Sequence, residues 1–255
     1  MRVQRTDSQK PEWEKIWGSM EDSVRERDVY FIMDEIKMDY LLPLLPNAGR
    51  TLEVGCGAAH LSCFLAARGY KTVGLDYSSK ALLVAQHNYL LTNVEGSWLV
   101  GDGYQLPFSS DTFDVVLSAG LLEHFANPIP LLSEMVRVLR PRGIFYADIV
   151  PKKFSLLRAL DGLRLKKSTL YEASWKKKTI ITFLRKVGLQ NVTVFPAGVF
   201  PPLWVPIIAR LSLYRVLHAR MTDLFKPLIL KLDRTQIAEY LGFYYFCQAV
   251  KGGAT

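Results

Sequence analysis

The apolar positions of this chain follow two periods. Val29, Ile32, Met33, Ile36 and Tyr40 recur at helical spacing, which predicts an amphipathic helix over residues 28–42 that stops near Pro43 and Pro46. Short apolar runs then alternate with helical stretches. The runs are Thr51 to Val54, Thr72 to Leu75, Trp98 to Val100, Phe113 to Ser118 and Ile144 to Val150; the helical stretches are Ala59 to Ala67, Ser79 to Leu91, and Ile129 to Leu139, the last closed by Pro141 and Gly143. Such alternation argues for right-handed βαβ units and a parallel sheet covered on both faces, an α/β class.

The rhythm pauses after Val150 and resumes with Ser174 as an expected N-cap, a helix carrying Ile180, Phe183, Leu184 and Val187, and Gly188 at its end. A strand from Val192 to Phe195 is expected next. From Ala197 to about Arg234 the chain is apolar and dotted with arginines on different faces, without a clean amphipathic pattern. Gly242 to Val250, aromatic and β-branched, reads as a closing strand.

Composition narrows the class. With 255 residues, 49% of them hydrophobic and 22% charged, the chain can bury one sizeable core with additions. Cys56, Cys63 and Cys247 form no CxxC pair and no metal-spaced cluster, so no metal is expected and a reduced, cytoplasmic chain is. The polar N-terminus has no apolar stretch of the kind a secretion signal needs, and Ala197 to Ala209 is too short and too rich in proline to span hydrocarbon.

Net charge is +8, and it is concentrated: residues 151–186 hold eleven Lys and Arg against Asp161 and Glu172, a local +9 that leaves the rest near −1. That segment could face an anionic ligand, a nucleic acid or a lipid headgroup surface, or simply water.

The chemistry-bearing positions sit at the ends of the runs. Glu53-Val54-Gly55-Cys56-Gly57 turns a strand into a helix, where residues without a Cβ allow positive φ and close backbone approach. Glu53 is placed to accept a hydrogen bond from an ammonium or hydroxyl group above that turn. Asp76 ends the second run, 21 residues past Gly55, where a ribose diol would be gripped. Gly101-Asp102-Gly103 ends the third run and Ser118-Ala119-Gly120 the fourth, so four marks converge on the rim where open α/β sheets bind ligands.

Together LEVGCG, GLDYSSKAL, GDGYQLPFSSDTFDVVLSAGLLEH and LLSEMVRVLRPRGIF resemble class I S-adenosylmethionine-dependent methyltransferases, in the methyltransferase type 11 branch with ubiquinone and menaquinone biosynthesis enzymes. The resemblance covers residues 48–150. It implies a Rossmann-like, seven-stranded, mostly parallel sheet with helices on both faces and an antiparallel C-terminal strand. It places a cofactor-binding core over 48–150, to which the patterns on either side add an N-terminal helical cap over 1–47 and a basic and apolar substrate-side insert with closing helix and strands over 151–255.

The same resemblance assigns S-adenosyl-L-methionine as cofactor. Its methionine end would lie on Glu53, Gly55, Cys56 and Gly57; its ribose on Asp76, beside Tyr77; its adenine near Asp102, Gly103 and Tyr104; its sulfonium near Ser118 and Gly120. One departure stands out: the family often has a third glycine where this chain has Ala59, a change read as harmless for binding.

Methyl transfer from a sulfonium is an in-line displacement, so alignment and exclusion of water are the main demands, and aromatic walls such as Tyr30, Phe31 and Tyr104 would serve. Tyr30 and Phe31 read equally as core aromatics of a cap helix. A base is needed only for a hydroxyl or carbon acid, and His124 is the best-placed candidate for it and for the substrate side. His60, His87 and His218 read as packing or surface residues.

The basic and apolar additions point to a small-molecule or lipid-like acceptor, anionic in one version, with peripheral contact at the inner membrane face as an option. Nucleic acid ranks lower because few aromatics interleave the basic residues. Three alternatives stand beside this reading: an RNA methyltransferase using 151–186, a nicotinamide-dependent oxidoreductase, and a non-catalytic binding module of the same fold.

Overall fold

A computed structural model describes residues 9–18, 29–150, 170–199 and 212–253; within its helices the side chains of residues 29–32, 212–216, 218 and 219 lie outside that description. Seven strands form one sheet: β1 (Arg50–Val54), β2 (Lys71–Asp76), β3 (Ser97–Val100), β4 (Phe113–Ala119), β5 (Leu139–Ile149), β6 (Leu189–Val199) and β7 (Gly242–Lys251), in the order β3-β2-β1-β4-β5-β7-β6. The first five run parallel, and β7 runs antiparallel to both β5 and β6. The sheet is the mostly parallel, Rossmann-like one expected. The order leaves β1 toward β2 and β3, then returns past β1 to β4, so the strand order reverses between β1 and β4, where an open sheet forms its crevice.

Helices cover both faces: α1 (Lys10–Gly18), α2 (Val29–Leu41), α3 (His60–Ala66), α4 (Ser79–Thr92), α5 (Ile129–Val138), α6 (Lys177–Lys186), α7 (Ser212–Leu232) and α8 (Gln236–Leu241). Side chains alternate between the layers as the two-residue period of a strand requires. Val116, Phe145, Ala147, Tyr245 and Cys247 pack with Leu131, Leu132 and Met135 of α5 and Ile180 and Leu184 of α6. On the other face Val115, Leu117, Tyr146, Phe195, Tyr244 and Phe246 pack with Met33, Met38 and Leu41 of α2. Ile36 of α2 turns away from the sheet to meet Ile229 of α7, which makes α2 a middle layer.

Three boundaries differ from expectation. Ser174 is not the N-cap of α6; that position is Lys176, without a side-chain cap. The Ala173 amide donates to the Glu123 carbonyl at 2.6 Å, which ties the chain to the sheet rim and keeps it extended past Ser174. β5 starts at Leu139 instead of Ile144 and absorbs Arg140-Pro141-Arg142-Gly143, the pairing jumping from Phe113–Leu139 to Val115–Ile144 with Arg142 at φ 65°. β6 extends beyond Val192–Phe195 in both directions because β7 offers it a partner along its full length.

All three cysteines are buried and free. Among the described residues, no helix is long and apolar enough to cross a membrane.

Candidate active site

The turn from β1 into α3 decides the shape of the site. Gly55, Gly57 and Ala59 take φ of 67°, 51° and 54°, so three alternate residues are left-handed. Two glycines adopt this freely, whereas Ala59 adopts it against the clash of its own Cβ. The Gly55 and Cys56 amides both donate to the Leu75 carbonyl, at 2.8 and 3.1 Å, which folds the turn over the end of β2.

Asp76 organises the same corner from β2. Its Oδ2 accepts from the Gly57 amide at 2.9 Å and its Oδ1 from the Ser78 amide at 2.8 Å. Its carbonyl accepts from the Gly101 amide at 2.9 Å, which binds the tip of β3 to that of β2. Burial raises the Asp76 carboxyl from its ordinary range, against three backbone amides that lower it.

Glu53 has a partner within the chain as well as a place at the cavity. It is 2% exposed, and its Oε2 accepts from the Ser62 amide at 3.1 Å and the Ser62 hydroxyl at 2.5 Å. The N-cap of α3 is Ala59, which has no acceptor, so the strand supplies one from below. Burial pushes the Glu53 carboxyl up to about 8, against the hydrogen bonds from Ser62.

These groups line one cavity of about 240 Å³. Glu53, Gly55, Cys56 and Gly57 form its floor, Asp76 and Tyr77 one side, Asp102, Gly103 and Tyr104 the far end, and Gly120 with His124 the side toward β4. Tyr104 meets Phe125 edge to face with centroids 5.5 Å apart, and its amide donates to Asp102 Oδ1 at 2.9 Å. His124 Nδ1 lies 2.8 Å from the Tyr171 carbonyl; a carbonyl only accepts, so Nδ1 carries the proton there.

Ser118 does not join this lining. It is fully buried behind Ala119 and Gly120, which do line the cavity, and its hydroxyl finds no hydrogen-bond partner. The period of the strand turns its side chain away from the cleft. Tyr30 and Phe31 fall in the first turn of α2, and their side chains, like that of His218, lie outside the described residues. His87 is exposed on α4.

Several lining residues were not singled out from the sequence. Gln9, Lys10, Trp13 and Trp17 bring α1 over the cavity: Lys10 Nζ sits 4.3 Å from the Tyr77 ring centroid, and the Glu14 carboxylate accepts from the Ser79 amide at 3.0 Å. A tryptophan pair spaced four apart in an otherwise polar stretch was the available signal.

His60, read as packing or surface, lines the cavity with Asp34 of α2, and its Nδ1 lies 3.1 Å from Asp34 Oδ2. Lys37 lies between Asp34, at 3.1 Å, and Asp148 of β5, at 3.0 Å, while the Tyr146 hydroxyl donates to Asp148. Burial opposes the charge on Asp34, but Lys37 and His60 outweigh it and hold the carboxyl down at about 2. Burial likewise opposes the Lys37 charge, and the two carboxylates more than reverse it, raising its affinity for the proton.

Comparison with known proteins agrees with this geometry. Residues 52–147 match the family model described as a methyltransferase domain. A phthiotriol/phenolphthiotriol dimycocerosates methyltransferase of Mycobacterium leprae is 36% identical over 107 residues, covering 40% of this chain and 38% of that protein. A ubiquinone biosynthesis O-methyltransferase of Cereibacter sphaeroides is 27% identical over 170 residues, 63% of this chain and 68% of that one. The chain spans less than half the length of several curated relatives that it matches, 21% of one and 49% of another.

A solved S-adenosylmethionine-dependent methyltransferase from Thermotoga maritima shares the fold with a TM-score of 0.58 at 18% identity, over 92% of this chain and 99% of that one. Residues 52–147 thus match a methyltransferase domain, and the sheet that carries them has the Rossmann-like fold of solved S-adenosylmethionine-dependent methyltransferases.

Proposed function

We propose that this protein transfers the methyl group of S-adenosylmethionine to a small-molecule or lipid-like acceptor. The observation that carries this reading is the convergence of the tips of β1, β2 and β4 and the loop after β3 on one cavity. Its groups suit the cofactor chemically: a carboxylate at the tip of β2 for a diol, an aromatic pair for a flat base, and a glycine turn that exposes backbone.

In this reading the turn of Gly55, Cys56 and Gly57, braced from below by Glu53 through Ser62, holds the methionine end, Asp76 and Tyr77 the ribose, and Asp102, Gly103 and Tyr104 the adenine. Gly120 flanks the sulfonium, with Ser118 buttressing that backbone from behind. When bound, the cofactor supplies an electrophilic methyl group on a positively charged sulfur. Trp13 and Trp17 keep water from it, and Tyr104 and Phe125 present the aromatic wall on the far side. With its Nδ1 proton committed to Tyr171, His124 has the tautomer that lets Nε2 take a proton from a hydroxyl acceptor.

The acceptor class draws on the outer surface and the relatives. Leu217, Leu224 and Leu228, spaced on one face of α7, are 56, 75 and 49% exposed, with Arg220 and Lys231 exposed along one edge of that stripe. An apolar face rimmed by cations suits anionic lipid, so we place peripheral contact with a membrane surface in the same proposal. Exposed Lys176, Lys178, Arg185 and Lys186 on and before α6 add basic surface. The relatives named for dimycocerosates and for ubiquinone biosynthesis favour a lipid-like acceptor over a nucleic acid.

The test is an extract assay with methyl-labelled S-adenosylmethionine, followed by identification of the labelled product. Asp76→Asn should weaken cofactor binding by about tenfold or more, since one charged acceptor at that corner is lost. The reading fails if equilibrium dialysis retains a labelled nicotinamide dinucleotide and not S-adenosylmethionine.

A further inference from the structure

Two acids border the methionine end of the cleft, and they differ in what they can offer. Glu53 has the Ser62 amide and hydroxyl on the same oxygen and serves as the cap of α3. Burial keeps it protonated to about pH 8, so at neutral pH it is an uncharged group. Asp34, reaching in from α2, has a side chain 14% exposed, faces the cleft and is held ionised.

Asp34 has two partners on its inner side, Lys37 and His60, and one of them is shared. Asp34 and Asp148 share the single ammonium of Lys37, at 3.1 and 3.0 Å, and Asp148 also takes the Tyr146 hydroxyl at 3.1 Å. Two carboxylates therefore meet one lysine beneath a low-dielectric layer formed by Tyr146, Tyr244 and Phe246. A carboxylate offers more acceptor sites than these partners use, and a cation arriving from the open side would add a charge-assisted hydrogen bond. The open side is the cleft. His60 fixes the carboxylate through Oδ2, so its position is set before any ligand binds.

We infer that Asp34, and not the glycine-turn acid Glu53, recognises the α-ammonium group of the cofactor's methionine end. This rests on the cofactor reading above. Lys37 and His60 are positioning residues in it: they hold the carboxylate ionised and aimed, and they do not touch the reacting atoms. Glu53 is thereby assigned to shaping the turn through the Ser62 amide and hydroxyl that it accepts.

The experiment measures binding by calorimetry at pH 7 for S-adenosylhomocysteine, its desamino analogue and the analogue with a hydroxyl in place of the amine. Wild-type protein should prefer the amine over both analogues by about tenfold or more, because a charged partner in a partly buried site outweighs a neutral hydrogen bond. Asp34→Asn should cut that preference to about twofold while leaving the desamino analogue's affinity within about twofold of wild type, and Glu53→Gln should retain the preference.

The inference is overturned if Asp34→Asn keeps the preference, or if Glu53→Gln abolishes it. Should Asp34→Asn not fold, the wild type still decides: a hydroxyl analogue that binds as tightly as the amine means charge is not being read, which overturns the inference, while one that binds like the desamino compound supports it. Protein that binds none of the three overturns the cofactor reading and this inference together, whereas binding of all three without discrimination overturns only the inference.

Discussion

Trp13 meets His124 edge to face, with ring centroids 4.9 Å apart and planes at 86°. The same imidazole donates from Nδ1 to the Tyr171 carbonyl, so α1, the turn after β4 and the stretch before α6 converge on one ring. An edge-to-face pair contributes about 1 kcal/mol beyond its buried area. Trp13→Ala should therefore loosen the cover, weakening S-adenosylhomocysteine binding about fivefold as read by calorimetry. Unchanged affinity would mean that α1 does not close on the ligand.

Ala59 holds a left-handed conformation, φ 54° and ψ 38°, at the N-cap of α3. Glycine meets no Cβ clash there and is an acceptable N-cap. Ala59→Gly should stabilise the protein by about 1 kcal/mol, raising Tm by about 2–4 °C, with cofactor affinity unchanged. A lower Tm would show that the cost of glycine in the unfolded chain exceeds the relief of strain.

Glu123 is 2% exposed; its Oε1 accepts from the Val150 amide at 3.0 Å and its Oε2 has no partner. Burial, aided by the Asp148 carboxylate, pushes it from an ordinary 4.5 up to about 8. A carboxyl raised in the folded state binds a proton more tightly there than in the unfolded chain. Its contribution is complete below about pH 4.5 and is lost as pH rises through about 8. Glu53 carries a shift of the same direction and size, so wild-type stability should decline across that window. Glu123→Gln removes one of the two titrations. Its Tm relative to wild type should therefore rise by about 4 °C or more between pH 5 and pH 8. A constant difference across that range would show that Glu123 ionises at its ordinary pH.

The apolar stripe of α7 can be tested by reversing its character. Leu224→Glu combined with Leu228→Glu should lower co-sedimentation with phosphatidylglycerol vesicles about fivefold or more, with little effect on Tm because both side chains are exposed. Added salt should weaken wild-type binding through screening of Arg220 and Lys231. Equal sedimentation of the two proteins would remove the lipid-surface element of the proposal.

Much of the fold could be read in the chain because parallel strands buried on both faces leave continuous apolar runs, as Val115 to Leu117 does. The same double burial hid which side each residue faces. Five of the seven residues from Phe113 to Ala119 are buried, which leaves little polar alternation to show, so nothing local separated Ser118, turned inward, from Ala119 at the cleft. Boundaries slipped wherever a partner strand or a distant tether acted, as β7 does on β6 and the Glu123 carbonyl on Ala173.

By itself the amino-acid order determined the alternation of strands and helices, the glycine turn at the tip of β1, and acids at successive strand ends, because these depend on contacts and conformations within a few residues. Tertiary structure alone decided how those parts are used. Asp34 and His60 stand 26 positions apart and meet only where α2 crosses the start of α3. Trp13 reaches His124 only because α1 returns over the cleft. Whether Glu53 is a ligand's partner or a helix cap depended on what Ala59 could not supply. Local preference sets the elements; burial and charge, which are properties of the assembled neighbourhood, set the roles.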